Sequence, residues 1–149
     1  MLVLVREELD VFEARRTAKR LAVEIGFDTQ GRAELAIAVS ELASNIVKYG
    51  VSGDILFEKI KAERLGNGLR VTARDIGPPI ANLALAIRDG YSDTGPIDPL
   101  DLRNRKGFGC GLGAVVRFSD GFEYTPGEGE KRICIVRYVR RPIPHKAIT

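Results

Sequence analysis

Hydrophobic positions along the chain follow two periods, and these periods predict its secondary structure. Residues 2–6 alternate between the two faces of an extended segment, which predicts a strand. Between residues 11 and 25 apolar side chains, Phe12 among them, recur at helical spacing, and Gly26 supplies a stop signal. A second, alanine-rich helix is predicted from residue 29 or 30 to about residue 49, where a glycine follows.

The rest of the chain alternates shorter apolar runs with turn-forming residues. Adjacent runs that are joined by glycine-containing turns predict antiparallel hairpins. The predicted elements are strands at 55–60 and 69–73 joined by a turn at 65–68, a helix at 82–88, a long mobile loop at 89–106, a helix ending near 118, and strands near 122–125 and 132–140 joined through 127–129.

This order of elements predicts an α/β (α+β) two-layer sandwich. A mixed, mostly antiparallel sheet carries its helices on one face, which distinguishes the fold from a doubly wound nucleotide-binding sheet. We expect a single domain over residues 1–141 and a disordered tail over residues 142–149.

Composition narrows the classes of function. The chain has 149 residues, of which 44% are hydrophobic and 29% charged, a balance typical of an ordered globular protein. Its net charge of +3 comes without a basic stripe interleaved with aromatic residues, so a nucleic-acid partner is not supported. Two cysteines and a single histidine, His145, exclude a zinc knuckle, a histidine-centred triad and a histidine metal cluster. Since the sequence has neither a bilayer-spanning apolar stretch nor a signal peptide, we expect a cytoplasmic protein without a membrane partner.

The first candidate for chemistry is a set of polar residues on the second predicted helix. Glu41, Asn45 and Lys48 lie zero, four and seven positions along that helix and therefore share one face. A carboxylate, an amide and an ammonium group in this arrangement could activate a hydroxyl, hold Mg²⁺ and meet phosphate charge. A solvated helix face with an incidental Glu–Lys arrangement has the same spacing, so the triplet alone does not establish a site.

The second candidate follows the strand at 69–73. Asp75 ends that strand, and Gly77 is followed by Pro78, Pro79 and Ile80. The glycine lets a ligand approach the backbone closely, and the carboxylate could accept a hydrogen bond from an exocyclic amine such as that of adenine. A turn aspartate after a strand is the alternative.

The third candidate is a glycine cluster that opens the next helix. Exposed backbone N–H groups and the positive end of a helix dipole together form a phosphate cradle, and basic side chains at its edge add charge. A flexible glycine hinge is the alternative. The residues assigned to the cradle are Arg105, Lys106, Gly107, Gly109, Gly111, Leu112 and Gly113.

Taken in order, the three candidates resemble the N, G1 and G2 boxes of the GHKL ATPases, the superfamily of gyrase, Hsp90, histidine kinases and MutL. Within that superfamily the chain is similar to the anti-sigma-factor serine kinases, and most closely to the RsbT-type switch kinases of the bacterial stressosome. The likeness runs from the first strand to about residue 140 and includes Glu-Leu-Ala-Ser-Asn at 41–45. It implies a Bergerat-type fold with bound ATP and Mg²⁺.

The resemblance also implies roles for individual residues. Glu41 would be the general base, Asn45 the Mg²⁺ ligand and Lys48 a phosphate contact. Asp75 would contact the adenine amine with Gly77 beneath it, and Ile80 would belong to the same pocket. The glycine cluster would wrap the phosphates, with residues 89–106 as the lid.

The partners follow from the same resemblance. The substrate would be a serine or threonine of a STAS-domain antagonist protein, and a PP2C-type phosphatase or a sigma factor would be a further partner. A nucleotide-gated binding module with little kinase activity is the alternative. Two residues depart from the family pattern. Pro79 replaces the second glycine of the G1 box, and Glu130 stands near a position where many relatives carry threonine, which is unfavourable for ATP unless its side chain faces solvent.

Overall fold

A computed structural model describes residues 1–87 and 111–141, together with the backbone of residues 91–92 and 95–96. Helices and strands alternate irregularly along these residues. In chain order they are β1 (Leu2–Val5), α1 (Glu8–Ile25), α2 (Thr29–Tyr49), β2 (Ser52–Ala62), β3 (Gly66–Ile76), α3 (Leu83–Ala86), β4 (Tyr91–Ser92), β5 (Gly95–Pro96), α4 (Gly111–Arg117), β6 (Gly121–Thr125) and β7 (Lys131–Tyr138).

Five strands form one sheet in the order β1-β2-β3-β7-β6, and each neighbouring pair is antiparallel. Because β7 lies between β3 and β6, it pairs with strands from both halves of the chain. Helices α1 and α2 pack against each other and against the sheet, and α4 packs on α2. The predicted α+β class with helices on one face is confirmed.

The apolar core fills the space between the helices and one face of the sheet. Side chains at alternate positions of each long strand point into it, as the period of two requires. Full burial of a valine, leucine or isoleucine side chain contributes about 1.5–3 kcal/mol to the free energy of unfolding, so these positions stabilise the two-layer arrangement. The largest fully buried apolar side chains are Leu35, Leu42, Ile46, Ile55, Leu69, Ile135, Val5, Val39, Val71 and Val115.

Local capping explains the helix boundaries. Helix α1 begins at Glu8, before the predicted start at Val11, because Glu7 and Asp10 form a capping box there. It ends as predicted at Gly26, whose φ of 107° is the left-handed conformation that glycine adopts readily. Phe12 was expected on the buried face but is 54% exposed. Helix α2 matches its prediction, with the Asp28 side chain accepting a hydrogen bond from the Gly31 N–H.

Three shorter elements differ from the sequence prediction. The β2–β3 turn covers residues 63–65 and not 65–68, because Ala62 already pairs with Gly66, which has a φ of 76°. Helix α3 ends at Ala86, earlier than the predicted residue 88. Strands β4 and β5 pair within the stretch predicted as a loop. Two-residue strands are too short to leave a periodic signal in the sequence.

Candidate functional site

A buried ion pair marks the end of β3. Asp75 lies on the core-facing side of that strand, and Lys131 is its partner across the β3–β7 ladder. The Lys131 Nζ donates to Asp75 Oδ1 at 2.6 Å and to the Pro78 carbonyl oxygen at 3.0 Å. The two side chains are only 8% and 7% exposed. The ammonium group therefore holds both the carboxylate and the segment that follows it.

Three glycines bring backbone close to the Asp75 side chain. A Cβ on Gly50 or Gly53 would lie 3.2 Å or 3.0 Å from Asp75 Cβ, and one on Gly77 would lie 3.1 Å from Asp75 Oδ1. A Cβ added to Gly77 would also lie 3.0 Å from the Tyr49 carbonyl oxygen at the end of α2. Any side chain at these positions would displace its neighbours. The glycines therefore let the end of α2 meet the end of β3.

Burial sets the protonation balance of the Asp75 carboxyl. Removal from water raises its pKa above the ordinary value, and the hydrogen bond and charge of Lys131 offset only part of that rise. The nearby negative charge of Glu130 adds a smaller increase in the pKa. Asp75 is thus an ionisable group in a site that disfavours its charged form.

The predicted face of α2 is present, and it is graded in exposure. Glu41 is 2% exposed, whereas Asn45 and Lys48 are half-buried. The Lys48 Nζ lies 5.0 Å from the centroid of the Tyr49 ring. The helix therefore carries a buried carboxylate in its middle and an amide and a cation nearer its C-terminal end.

The third candidate is described only in part. Gly111 has a φ of 59° and begins α4, in which Leu112 and Gly113 are buried. Because α4 packs on α2, this part of the glycine cluster lies beside the helix that carries Glu41. The other four members, Arg105, Lys106, Gly107 and Gly109, lie outside the described residues, as do the predicted tail and most of the predicted lid.

Two residues near the end of β3 were missed by the sequence analysis. The Tyr124 hydroxyl accepts a hydrogen bond from the Ile80 N–H at 3.0 Å and so fixes the segment after Asp75. Lys131 was the other omission. A signal for it existed, because Lys131 alternates in phase with Ile133 and Ile135, which places a cation on the buried face of the strand.

The two departures from the family pattern both face solvent. Glu130 is exposed, and its Oε1 lies 3.4 Å from the Arg132 guanidinium, which is also exposed. Pro79 is exposed as well. The strand residue that meets Asp75 is therefore Lys131 and not Glu130.

Two kinds of structure are absent from the described ranges, 1–87 and 111–141. No helix there is long and apolar enough to cross a membrane. The same ranges contain no group of three or more histidine, cysteine, aspartate or glutamate side chains that could hold a metal ion.

Comparison with known proteins places the chain in a family. The chain is 35% identical over 128 residues to the serine/threonine-protein kinase RsbT of Bacillus subtilis, and the match covers 86% of this chain and 87% of the relative. Its fold is similar to a crystal structure of the RsbU and RsbW domains of a Mycobacterium tuberculosis protein, with a TM-score of 0.57 and 16% identity. That match covers 96% of this chain but only 34% of the solved one. Residues 5–137 match the histidine kinase-like ATPase domain family, and the chain belongs to that family.

Proposed function

We propose that this chain is a cytoplasmic, ATP-dependent serine/threonine protein kinase that phosphorylates a STAS-domain protein in a partner-switching module, with residues 1–141 as a single kinase domain. One observation supports this proposal above the others. Helix α2 carries the buried Glu41 in its middle, and its C-terminal end abuts Asp75 through Gly50 and Gly77. The likeness to a relative named as a serine/threonine-protein kinase points the same way.

The positions along α2 separate the two ends of a nucleotide. Glu41 lies nine residues before Gly50, which corresponds to about 13 Å of helix rise. In the proposed complex Asp75 accepts a hydrogen bond from the exocyclic amine of adenine at one end. Asn45, Lys48 and Glu41 would then be the α2 residues that meet the triphosphate and its transferred group.

Each side chain then has a defined task. Bound Mg-ATP would supply the phosphoryl group and neutralise part of its charge. The Glu41 carboxylate would accept the proton of the substrate hydroxyl, and the Asn45 amide oxygen would be a ligand for Mg²⁺. Lys48 and the N–H groups at Gly111 and beyond face the phosphates. Burying a carboxylate costs free energy, and the catalytic task gives the burial of Glu41 a function.

The test is transfer of labelled phosphate from Mg-ATP to a STAS-domain protein of the same organism. We expect Glu41→Gln to lower the transfer rate by about 10²–10⁴-fold, since a positioned base contributes about that much. ATP should still raise the melting temperature of this variant, because ligand that binds the native state stabilises it. Glu13→Gln is the matched control, since Glu13 is exposed on α1.

The alternative is a nucleotide-gated binding module that engages a sigma factor or a PP2C-type phosphatase. It would use the same nucleotide site without phosphate transfer, so Glu41 would have no catalytic task in it. If ATP raises the melting temperature but no label moves to a STAS-domain protein, the module replaces the kinase. Equal transfer by the wild type and Glu41→Gln would instead remove Glu41 from the mechanism.

A further inference from the structure

The Asp75–Lys131 pair uses only one of the two carboxylate oxygens. Lys131 binds Oδ1 at 2.6 Å. Within the described part of the chain Oδ2 accepts no hydrogen bond. The second bond of the ammonium group, to the Pro78 carbonyl, ties the segment after β3 to β7. One oxygen is therefore fixed by the protein, and the orientation of the other follows from it.

Protonation would weaken the Asp75 carboxylate as a hydrogen-bond acceptor. Burial raises the pKa of Asp75, and protonation would remove the negative charge that makes the acceptor strong. Lys131 opposes this shift, whereas Glu130 adds to it. Arg74 is the adjacent cation on β3, but it binds Asp54 on the opposite face of the sheet. On the α2 side the Tyr49 carbonyl oxygen lies beside Gly77, and it carries no charge.

We propose that Lys131 is a positioning residue of the nucleobase pocket: it keeps Asp75 ionised and fixes its orientation, so that Oδ2 is left to accept a hydrogen bond from an exocyclic amine. This inference rests on the proposed nucleotide binding and adds a residue that determines how strongly the pocket prefers adenine. Lys131 contacts Asp75 in this proposal and does not contact the base. Loss of Lys131 should therefore lower the preference for a base with an exocyclic amine and leave binding of the phosphates unchanged.

The experiment compares two ligands in their magnesium forms, ATP and purine riboside triphosphate, which lacks the exocyclic amine. Their dissociation constants are measured by titration calorimetry at pH 8 and pH 6, and the ratio of the two constants reports the amine contact alone. Protonation of the triphosphate affects both ligands equally and cancels. For the wild type we expect ATP to bind about 10–100-fold more tightly, the range of a hydrogen bond to a charged group.

Substitution of Lys131 should change that ratio in a pH-dependent way. For Lys131→Met we expect the preference for ATP to fall close to one at pH 6 and to recover in part at pH 8, where Asp75 is again ionised. Lys131→Arg, which keeps a cation, should retain most of the preference. Arg132→Met is the matched control because Arg132 is the next residue on β7 but faces solvent and pairs with Glu130. Its ratio should equal that of the wild type.

Several outcomes would overturn the inference. An unchanged ratio in Lys131→Met at both pH values would leave Lys131 as a structural link between β7 and the Pro78 segment. A larger ratio would mean that the ammonium competes with the amine for Asp75. A wild-type ratio of one would show that the carboxylate does not read the amine. If Lys131→Met does not fold, Lys131→Gln, which keeps a neutral donor, is compared in its place with the same criteria. Failure of the wild type to bind either ligand would refute the proposed function itself.

Discussion

Each end of β7 carries a buried cation that pairs with a carboxylate, but the two pairs connect different parts of the molecule. Lys131 begins the strand and Arg137 lies near its end, and both cations are buried on the side that faces the helices. Each has a carboxylate partner from another element: Asp75 at the end of β3 and Glu34 on α2. The residue pattern of β7 does not distinguish the two pairs.

The surroundings of the two pairs differ sharply. The Lys131–Asp75 contact measures 2.6 Å and adjoins the glycine-lined segment that follows β3. The Arg137–Glu34 contact measures 3.4 Å, and the same guanidinium donates to the Phe118 carbonyl at the end of α4 at 2.9 Å. Its Nε has no hydrogen-bond partner among the described residues. Arg137 thus joins two helices to the sheet, whereas Lys131 joins a candidate ligand pocket to it.

The comparison separates what burial of a charge does for stability from what it does for binding. Buried ion pairs cost desolvation free energy that their mutual attraction often fails to recover, but removal of one partner leaves a buried charge without compensation. The consequences of breaking each pair therefore depend on what else the remaining partner contacts. Four variants, one of them a double substitution, are ordered below by expected effect and test this distinction.

The largest effect is expected at the helix-joining end. Arg137→Met leaves Glu34 without its cation and the Phe118 carbonyl without its donor, so we expect a loss of about 3–5 kcal/mol in the free energy of unfolding. Urea denaturation followed by circular dichroism measures it. Arg140→Met, at an exposed position two residues beyond β7, should stay within about 0.5 kcal/mol of the wild type. If Arg137→Met also changed the preference for ATP over purine riboside triphosphate, the two ends of β7 would not differ in their effect on binding.

The pocket end should respond less strongly and with a dependence on pH. Lys131→Met leaves the ionised Asp75 buried without a cation at pH 8, and we expect a loss of about 2 kcal/mol there and a smaller loss at lower pH, where protonation relieves the charge. Between the unfolded-state aspartate pKa of about 3.9 and the raised pKa of Asp75 in the folded state, the folded protein binds more protons than the unfolded protein. The contribution of Asp75 to the free energy of unfolding therefore falls as the pH rises from the lower of these two pKa values to the higher.

The loss in Lys131→Met should accordingly shrink as the pH is lowered from 8 toward 5. Thermal denaturation of the variant and the wild type in parallel across that range measures this difference. A loss that is constant across the range would mean that Asp75 does not become protonated when its partner is removed.

Removing both charges should cost least among the buried substitutions. In Asp75→Asn combined with Lys131→Met no buried charge is left, so we expect a stability within about 1 kcal/mol of the wild type. The preference for ATP over purine riboside triphosphate should nonetheless be weakened, because the charged acceptor is gone. A double-mutant cycle on the free energy of unfolding gives the coupling between the two side chains. A coupling free energy near zero would show that Asp75 and Lys131 contribute to stability independently of each other.

The smallest effect is expected on the opposite face of β3. Arg74 donates to both oxygens of Asp54 at 2.9 Å and 2.8 Å, but the Arg74 side chain is 40% exposed. Asp54→Asn should cost less than about 1 kcal/mol, and the difference should decrease in high salt, as for other exposed pairs. Urea denaturation at low and high salt measures it. A loss as large as that of Lys131→Met would show that burial does not decide the ranking.

Local signals in the sequence were enough for much of the fold. Asp28 and the glycine after Tyr49 mark the ends of α2, and both act through neighbours within a turn of helix. Phe12 was misplaced because helical spacing alone does not reveal which apolar face of a helix meets the core. The paired strands β4 and β5 were missed because a pair this short has no period.

The candidate site was predictable only where its residues lie close together in the sequence. Glu41, Asn45 and Lys48 share a helix, and their common face follows from spacing. The partner of Asp75 lies 56 positions away, so its identity depends on the register between β3 and β7. The predicted roles of these residues stay predictions until the experiments above are made.

The position of β7 between β3 and β6 has a consequence for biosynthesis. This strand follows every other described element along the chain, so it leaves the ribosome after them. Until it docks, Asp75 has no counter-charge, and a slip of one residue would present Glu130 or Arg132 to it instead of Lys131. A nascent chain therefore carries an unfinished pocket, and a preference for a nucleobase with an exocyclic amine would arise only in chains whose last described strand has entered the sheet in register.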